Sequence, residues 1–76
     1  MYRHVTYREL QVLEAISRGL TSQEIAKELY LSDHTIIAHR KKLFSKLNAI
    51  NAPSLVRKGF ELGILSSQKS LQSTIE

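Results

Sequence analysis

The sequence predicts an all-α domain of four short helices, with the second and third set as a helix-turn-helix. Three observations predict it. Helix-start signals recur, since Thr6-Tyr7-Arg8-Glu9 and Thr21-Ser22-Gln23-Glu24 both have the form of a capping box and Ser32 is a good N-cap. Apolar residues recur at helical spacing behind each of these starts. Only Tyr30-Leu31 separates the end of the second helix from Ser32, and two helices joined by so tight a turn must cross steeply.

Residues 1–4 read as a loose lead-in and residues 5–65 as the domain. In the first helix the Thr6 hydroxyl is placed for the Glu9 N–H, and the Glu9 carboxylate for the Thr6 N–H. Val5 and Leu10 supply a hydrophobic staple. Leu13 and Ile16, with Val12 or Leu10 beside them, form the apolar face, and Gly19 ends the helix as a C′ glycine free to take positive φ. The second helix repeats the device with Thr21, Glu24 and a Leu20–Ile25 staple, and spans about two turns. Ile25, Ala26 and Leu29 face inward while Lys27 and Glu28 face water; Ala26 is small where the second and third helices approach.

The third helix runs from Ser32 to Leu47, with Leu31 and Ile36 as its staple. Ile36, Leu43 and Leu47 define a buried stripe, and Asp33, His34, Ile37, Ala38, Lys41 and Ser45 fall on a different face. The segment from Asn48 to Pro53 is rich in turn formers, and Pro53 suits the first turn of a fourth helix. That helix runs to about Leu62, with Gly63 as its stop and Leu55, Val56 and Phe60 as apolar residues, followed by Ile64-Leu65. Gly59 lies inside it at a cost of about 1 kcal/mol relative to alanine. It is either a local flaw or room for another helix to approach. Residues 66–76 are polar, with isolated Leu71 and Ile75, and read as a disordered or frayed tail.

Seventy-six residues make one domain with a small core. There is no cysteine, hence no disulfide and no thiolate metal site. A formal charge of +4 and a pI near 9.7 favour a polyanionic partner, nucleic acid first. No apolar run approaches the ~18 residues of a membrane span, and no signal-peptide pattern opens the chain. A soluble, cytoplasmic protein is expected, with no membrane partner. An enzyme is disfavoured: there is no glycine-rich phosphate loop, and no paired carboxylates flank a plausible pocket. No cofactor or small-molecule ligand is implied. His34 and His39 are five residues apart, off a common helical face, so no metal site is expected.

The third helix carries the chemistry. From His34 to Lys46 there is no acidic residue, while Arg40, Lys41, Lys42 and Lys46 are all cationic. A packed back, a small or apolar front and basic flanks suit a DNA major groove; the alternative is a solvated basic face. Arg40, Lys42 and Lys46 are candidates for phosphate contact rather than base reading. Ser22 and Gln23 open the second helix, whose exposed N–H groups form a ready phosphate site. Thr35 suits either a phosphate or the Ser32 cap.

Read this way, the chain resembles the LuxR/GerE-type helix-turn-helix domain from about Val5 to Leu65. The residues that carry the likeness are Thr6-Tyr7-Arg8-Glu9, Val12-Leu13, Ile16, Gly19-Leu20-Thr21, Glu24-Ile25-Ala26, Leu29, Leu31-Ser32, Thr35-Ile36, His39, Leu43, Lys46-Leu47, Asn51 and Gly63. The resemblance implies a bacterial transcription regulator that binds double-stranded DNA as a homodimer. It also implies that the third helix enters the major groove and the fourth supplies the dimer contact. Carried over, the base-contacting positions are His34, Ile37, Ala38 and Lys41, with His39 a part-buried phosphate contact. The dimer contact falls on Val56, Gly59 and Phe60.

Two positions depart from the family pattern. Ile37 and Ala52 stand where the family usually or often has a cation. Ile37 would then meet a thymine methyl, rest against sugar, or pack inward beside Ile36. The lost charges suggest weaker intrinsic affinity, offset by Lys42 or by dimerisation. They also keep alive a second reading, a module that docks on RNA polymerase or another regulator and barely touches DNA. Arg8 is expected to pair with an acid such as Glu24 or Glu28, and Glu9 is accounted for by its capping box.

Overall fold

Every helix starts on a side-chain cap and ends on a left-handed residue, so local chemistry sets both boundaries of each. The computed structural model describes residues 4–66, which form α1 (Tyr7–Ser17), α2 (Ser22–Leu29), α3 (Asp33–Lys46) and α4 (Ala52–Glu61). The expectation for residues 1–3 and for the tail beyond Ser66 lies outside the described residues.

Thr6 and Thr21 cap α1 and α2 with complete capping boxes, closed by Glu9 and Glu24. Ser32 caps α3 through the Thr35 N–H at 3.1 Å. Asn51 caps α4 in a box closed by the Ser54 hydroxyl. That last box is a local device that the Thr-x-x-Glu template misses.

The exits repeat one motif. The residues after α1, α2, α3 and α4 that turn left-handed are Gly19 (φ 86°), Tyr30 (58°), Asn48 (54°) and Gly63 (77°). Around each, an N–H just past the helix reaches back to a carbonyl five residues earlier: Leu20 to Ala15, Leu31 to Ala26, Ala49 to Phe44 and Ile64 to Gly59. These are Schellman closures. A tyrosine accepts the conformation at Tyr30 despite its Cβ, because the turn into α3 demands it. Its side chain stands in solvent, 94% exposed.

The core is built from Val12, Leu13, Ile25, Ile36, Leu43 and Leu55, all fully buried. α1 packs on each of the other three helices, and α3 lies against both α1 and α2. α3 is therefore held from two directions along its Ile36–Leu43–Leu47 stripe.

Gly59 has a definite structural job. A Cβ there would sit 2.8 Å from Leu65 Cδ1 and 3.3 Å from Leu13 Cδ2. The glycine lets the segment after α4 fold back, with both the Ile64 and Leu65 N–H groups donating to the Gly59 carbonyl. Gly59, expected within a dimer contact, is buried in this chain beside Leu65 and Leu13. Among the described residues, no helix is long and apolar enough to cross a membrane.

Candidate nucleic-acid interface

α3 presents one face to solvent because its opposite face is consumed by packing. His34, Ile37, Ala38 and Lys41 are all exposed and follow the i, i+3, i+4, i+7 pattern of a single helical face. Ile36 is fully buried while its neighbour Ile37 is 49% exposed. The inward alternative for Ile37 is thereby removed.

The cations around this face are not equivalent. Lys41 and Lys42 are exposed. Arg40 is half-buried, with its guanidinium 5.7 Å from the centre of the Phe44 ring one turn on. Such stacking holds the charge along the helix while leaving its outer N–H groups in water. Lys46 points elsewhere. Its Nζ donates to Glu9 Oε1 at 2.7 Å, joining the end of α3 to the start of α1. Lys46, expected to face a phosphate, is thus paired with Glu9, with its side chain 30% exposed.

Glu9 is 2% exposed and serves two helices at once. One oxygen accepts both the Thr6 N–H at 3.1 Å and the Lys46 ammonium. Burial pushes its carboxyl upward, but the hydrogen bonds from Lys46 and Thr6 and the charges of Lys46 and His39 outweigh that, and the net shift is downward. Glu9 is thus more than a capping residue.

His39 lies half-buried on α3, close enough to Glu9 for its charge to be felt there, and its Nδ1 is buried without a hydrogen-bond partner. Thr35 completes the cap rather than standing free, since its hydroxyl lies 2.9 Å from the Ser32 hydroxyl. Ser22 and Gln23 occupy the first turn of α2, Gln23 exposed and Ser22 half-buried. On α4, Val56 is half-buried and Phe60 is exposed.

The expected partner of Arg8 is taken by another residue. Glu28 is held by Arg18 through two hydrogen bonds of 2.6 and 3.3 Å, and Glu24 closes its own capping box. The Arg18 hydrogen bond draws the Glu28 carboxyl downward. This pair straps the exit of α1 to the last turn of α2.

A short α2, a left-handed turn at Tyr30 and an α3 with a buried back and open front define a helix-turn-helix domain. Residues 4–58 match the family described as GerE: bacterial regulatory proteins, luxR family. The chain belongs to that family, one of transcriptional regulators and not of enzymes. It is 42% identical over 57 residues to the transcriptional regulatory protein UhpA of Escherichia coli (strain K12), covering 75% of this chain and 29% of that protein. It is 38% identical over 55 residues to the oxygen regulatory protein NreC of Staphylococcus carnosus (strain TM300), covering 72% of this chain and 25% of that protein. Over 60 residues it is 35% identical to the transcriptional regulatory protein FixJ of Azorhizobium caulinodans, covering 79% of this chain and 28% of that protein. The chain thus spans between a quarter and a third of the length of these relatives.

Proposed function

We propose that this chain binds double-stranded DNA sequence-specifically, with α3 in the major groove, and regulates transcription. The observation that carries the reading is the two-sidedness of α3. Its back is fixed by α1 and α2 while its front offers His34, Ile37, Ala38 and Lys41. Lys42 and Arg40 supply phosphate-facing charge along it, and the first turn of α2, at Ser22 and Gln23, offers N–H groups to a second phosphate. Phosphate contacts fix the pose, and the four front residues read base edges.

The active form is a homodimer on an imperfect palindrome, with half-site centres about one helical turn apart. Val56, Phe60 and Leu62 support this reading. Phe60 and Leu62 are large apolar side chains, 43% and 46% exposed, on or just beyond a helix that packs on α1. The same exposure supports a second reading, in which this side docks on RNA polymerase or another regulator.

The test is fluorescence anisotropy of the chain on a duplex enriched by selection and on a scrambled control, at several salt concentrations. Much tighter binding of the selected duplex is expected, each phosphate contact steepening the log–log salt slope by about 0.9. Failure to bind either duplex at low salt, with a helical spectrum intact, overturns the proposal in favour of protein docking. A selected site with no two-fold symmetry overturns the homodimer.

A further inference from the structure

We infer that Ile37, with Ala38 beside it, reads the C5-methyl group of a pyrimidine in the major groove, which in unmodified DNA is a thymine. This rests on the DNA-binding reading above and names the feature of the substrate that α3 selects.

Ile37 is apolar and half in water on a helix whose other exposed long side chains, Asp33, His34, Lys41 and Lys42, are polar or charged. It has no place in the core, because Ile36 fills that position completely. It sits one turn before Lys41 and one turn after His34, in the middle of the exposed face rather than at its edge. A β-branched side chain on a helix is confined to essentially one χ1 rotamer, so its methyl groups are presented with little entropy left to lose. Ala38 adds a single methyl and leaves the helix free to approach the groove floor. A groove contact dominated by such groups cannot accept or donate hydrogen bonds. The apolar feature on the major-groove edge of a base pair is the pyrimidine C5-methyl. Lys41 and Lys42 close by supply the charge that holds this apolar pair against a polyanion, which favours DNA over an apolar protein groove as its occupant.

The experiment replaces each thymine of the selected site, one at a time, with deoxyuridine, which removes the methyl and nothing else. One position per half-site is expected to lose roughly fourfold in affinity, the worth of one buried methyl-sized group. That loss should be the same at low and high salt, because no phosphate contact changes. Ile37→Ala should bind more weakly and no longer distinguish thymine from deoxyuridine at that position. Ile37→Lys should also lose the distinction while steepening the salt slope by about 0.9. Helical spectra check that both variants remain folded. Placing 5-methylcytosine against cytosine at the same position separates the two sources of the methyl: a gain extends the reading to modified DNA, and no gain confines it to thymine. Indifference of the wild-type chain to every deoxyuridine overturns the inference, as does a loss that persists in Ile37→Ala. In either case tight binding of the unmodified site would leave the DNA-binding reading standing. Failure to bind any duplex overturns both.

Discussion

Two capping boxes of the same form, Thr6-x-x-Glu9 and Thr21-x-x-Glu24, do different work in this fold. In each, the threonine hydroxyl accepts the glutamate N–H and the glutamate carboxylate accepts the threonine N–H. Glu24 is exposed and ends its role there. Glu9 is buried, and the same oxygen that closes its box also receives Lys46 from the far end of α3. One local motif therefore carries a tertiary link at one site and none at the other. The link bears on the proposed function because α3 is the helix proposed to face DNA.

The largest effect is expected on the Lys46 side of the pair. Lys46→Met would leave a buried carboxylate with its cap hydrogen bonds but no countercharge, and should cost about 3 kcal/mol, read as a lower urea midpoint. Glu9→Ala should cost about 2–3 kcal/mol. It loses the box and strands an ammonium, but Lys46 is 30% exposed and can turn to water. Glu9→Gln keeps a side chain competent to close the box, so its cost of about 1–2 kcal/mol isolates the ion pair. Glu24→Ala should be the mildest, about 0.5–1 kcal/mol, the worth of an exposed cap alone. Equal costs for Glu9→Ala and Glu24→Ala would show that the Lys46 bond carries nothing.

Acid sharpens the same contrast. The folded Glu9 carboxyl titrates below its ordinary value, so the unfolded chain binds the proton more readily. Its contribution to stability is complete above the ordinary carboxylate range and is lost as pH falls through the folded value. Stability of the wild-type chain should therefore decline on the acid side, and Glu9→Gln should flatten that decline, measured as urea midpoints across the acid range. The Arg18–Glu28 pair contributes in the same direction and persists in the variant.

Much of the fold is legible along the chain because the devices that bound helices act over a few residues. Thr6, Thr21 and Ser32 begin α1, α2 and α3 as their types predict, and Gly19 and Gly63 turn left-handed after α1 and α4. The exit at Tyr30 is not legible, since a tyrosine does not announce positive φ as glycine does, while Asn48 is a residue type that accepts it and stands in a segment of turn formers. Ile36, Leu43 and Leu47 face inward as their spacing requires. The exposed set of His34, Ile37, Ala38 and Lys41 follows from the same geometry. What spacing could not supply is which cations remain available. Arg40, Lys42 and Lys46 look alike as letters, yet one stacks on Phe44, one is open to solvent and one is bonded to Glu9.

Four helices, the caps of the first three, the tight turn between α2 and α3, and the likeness that places the chain in its family can all be read along the chain. Those are short-range matters: a hydroxyl three residues from an N–H, or an apolar residue every third or fourth position. The tertiary structure alone decided that Glu9 answers Lys46 across 37 residues of chain. It also decided that Gly59 makes room for Leu65 and Leu13. Both outcomes depend on how helices remote in sequence come to lie against one another, and no window along the chain contains that distance.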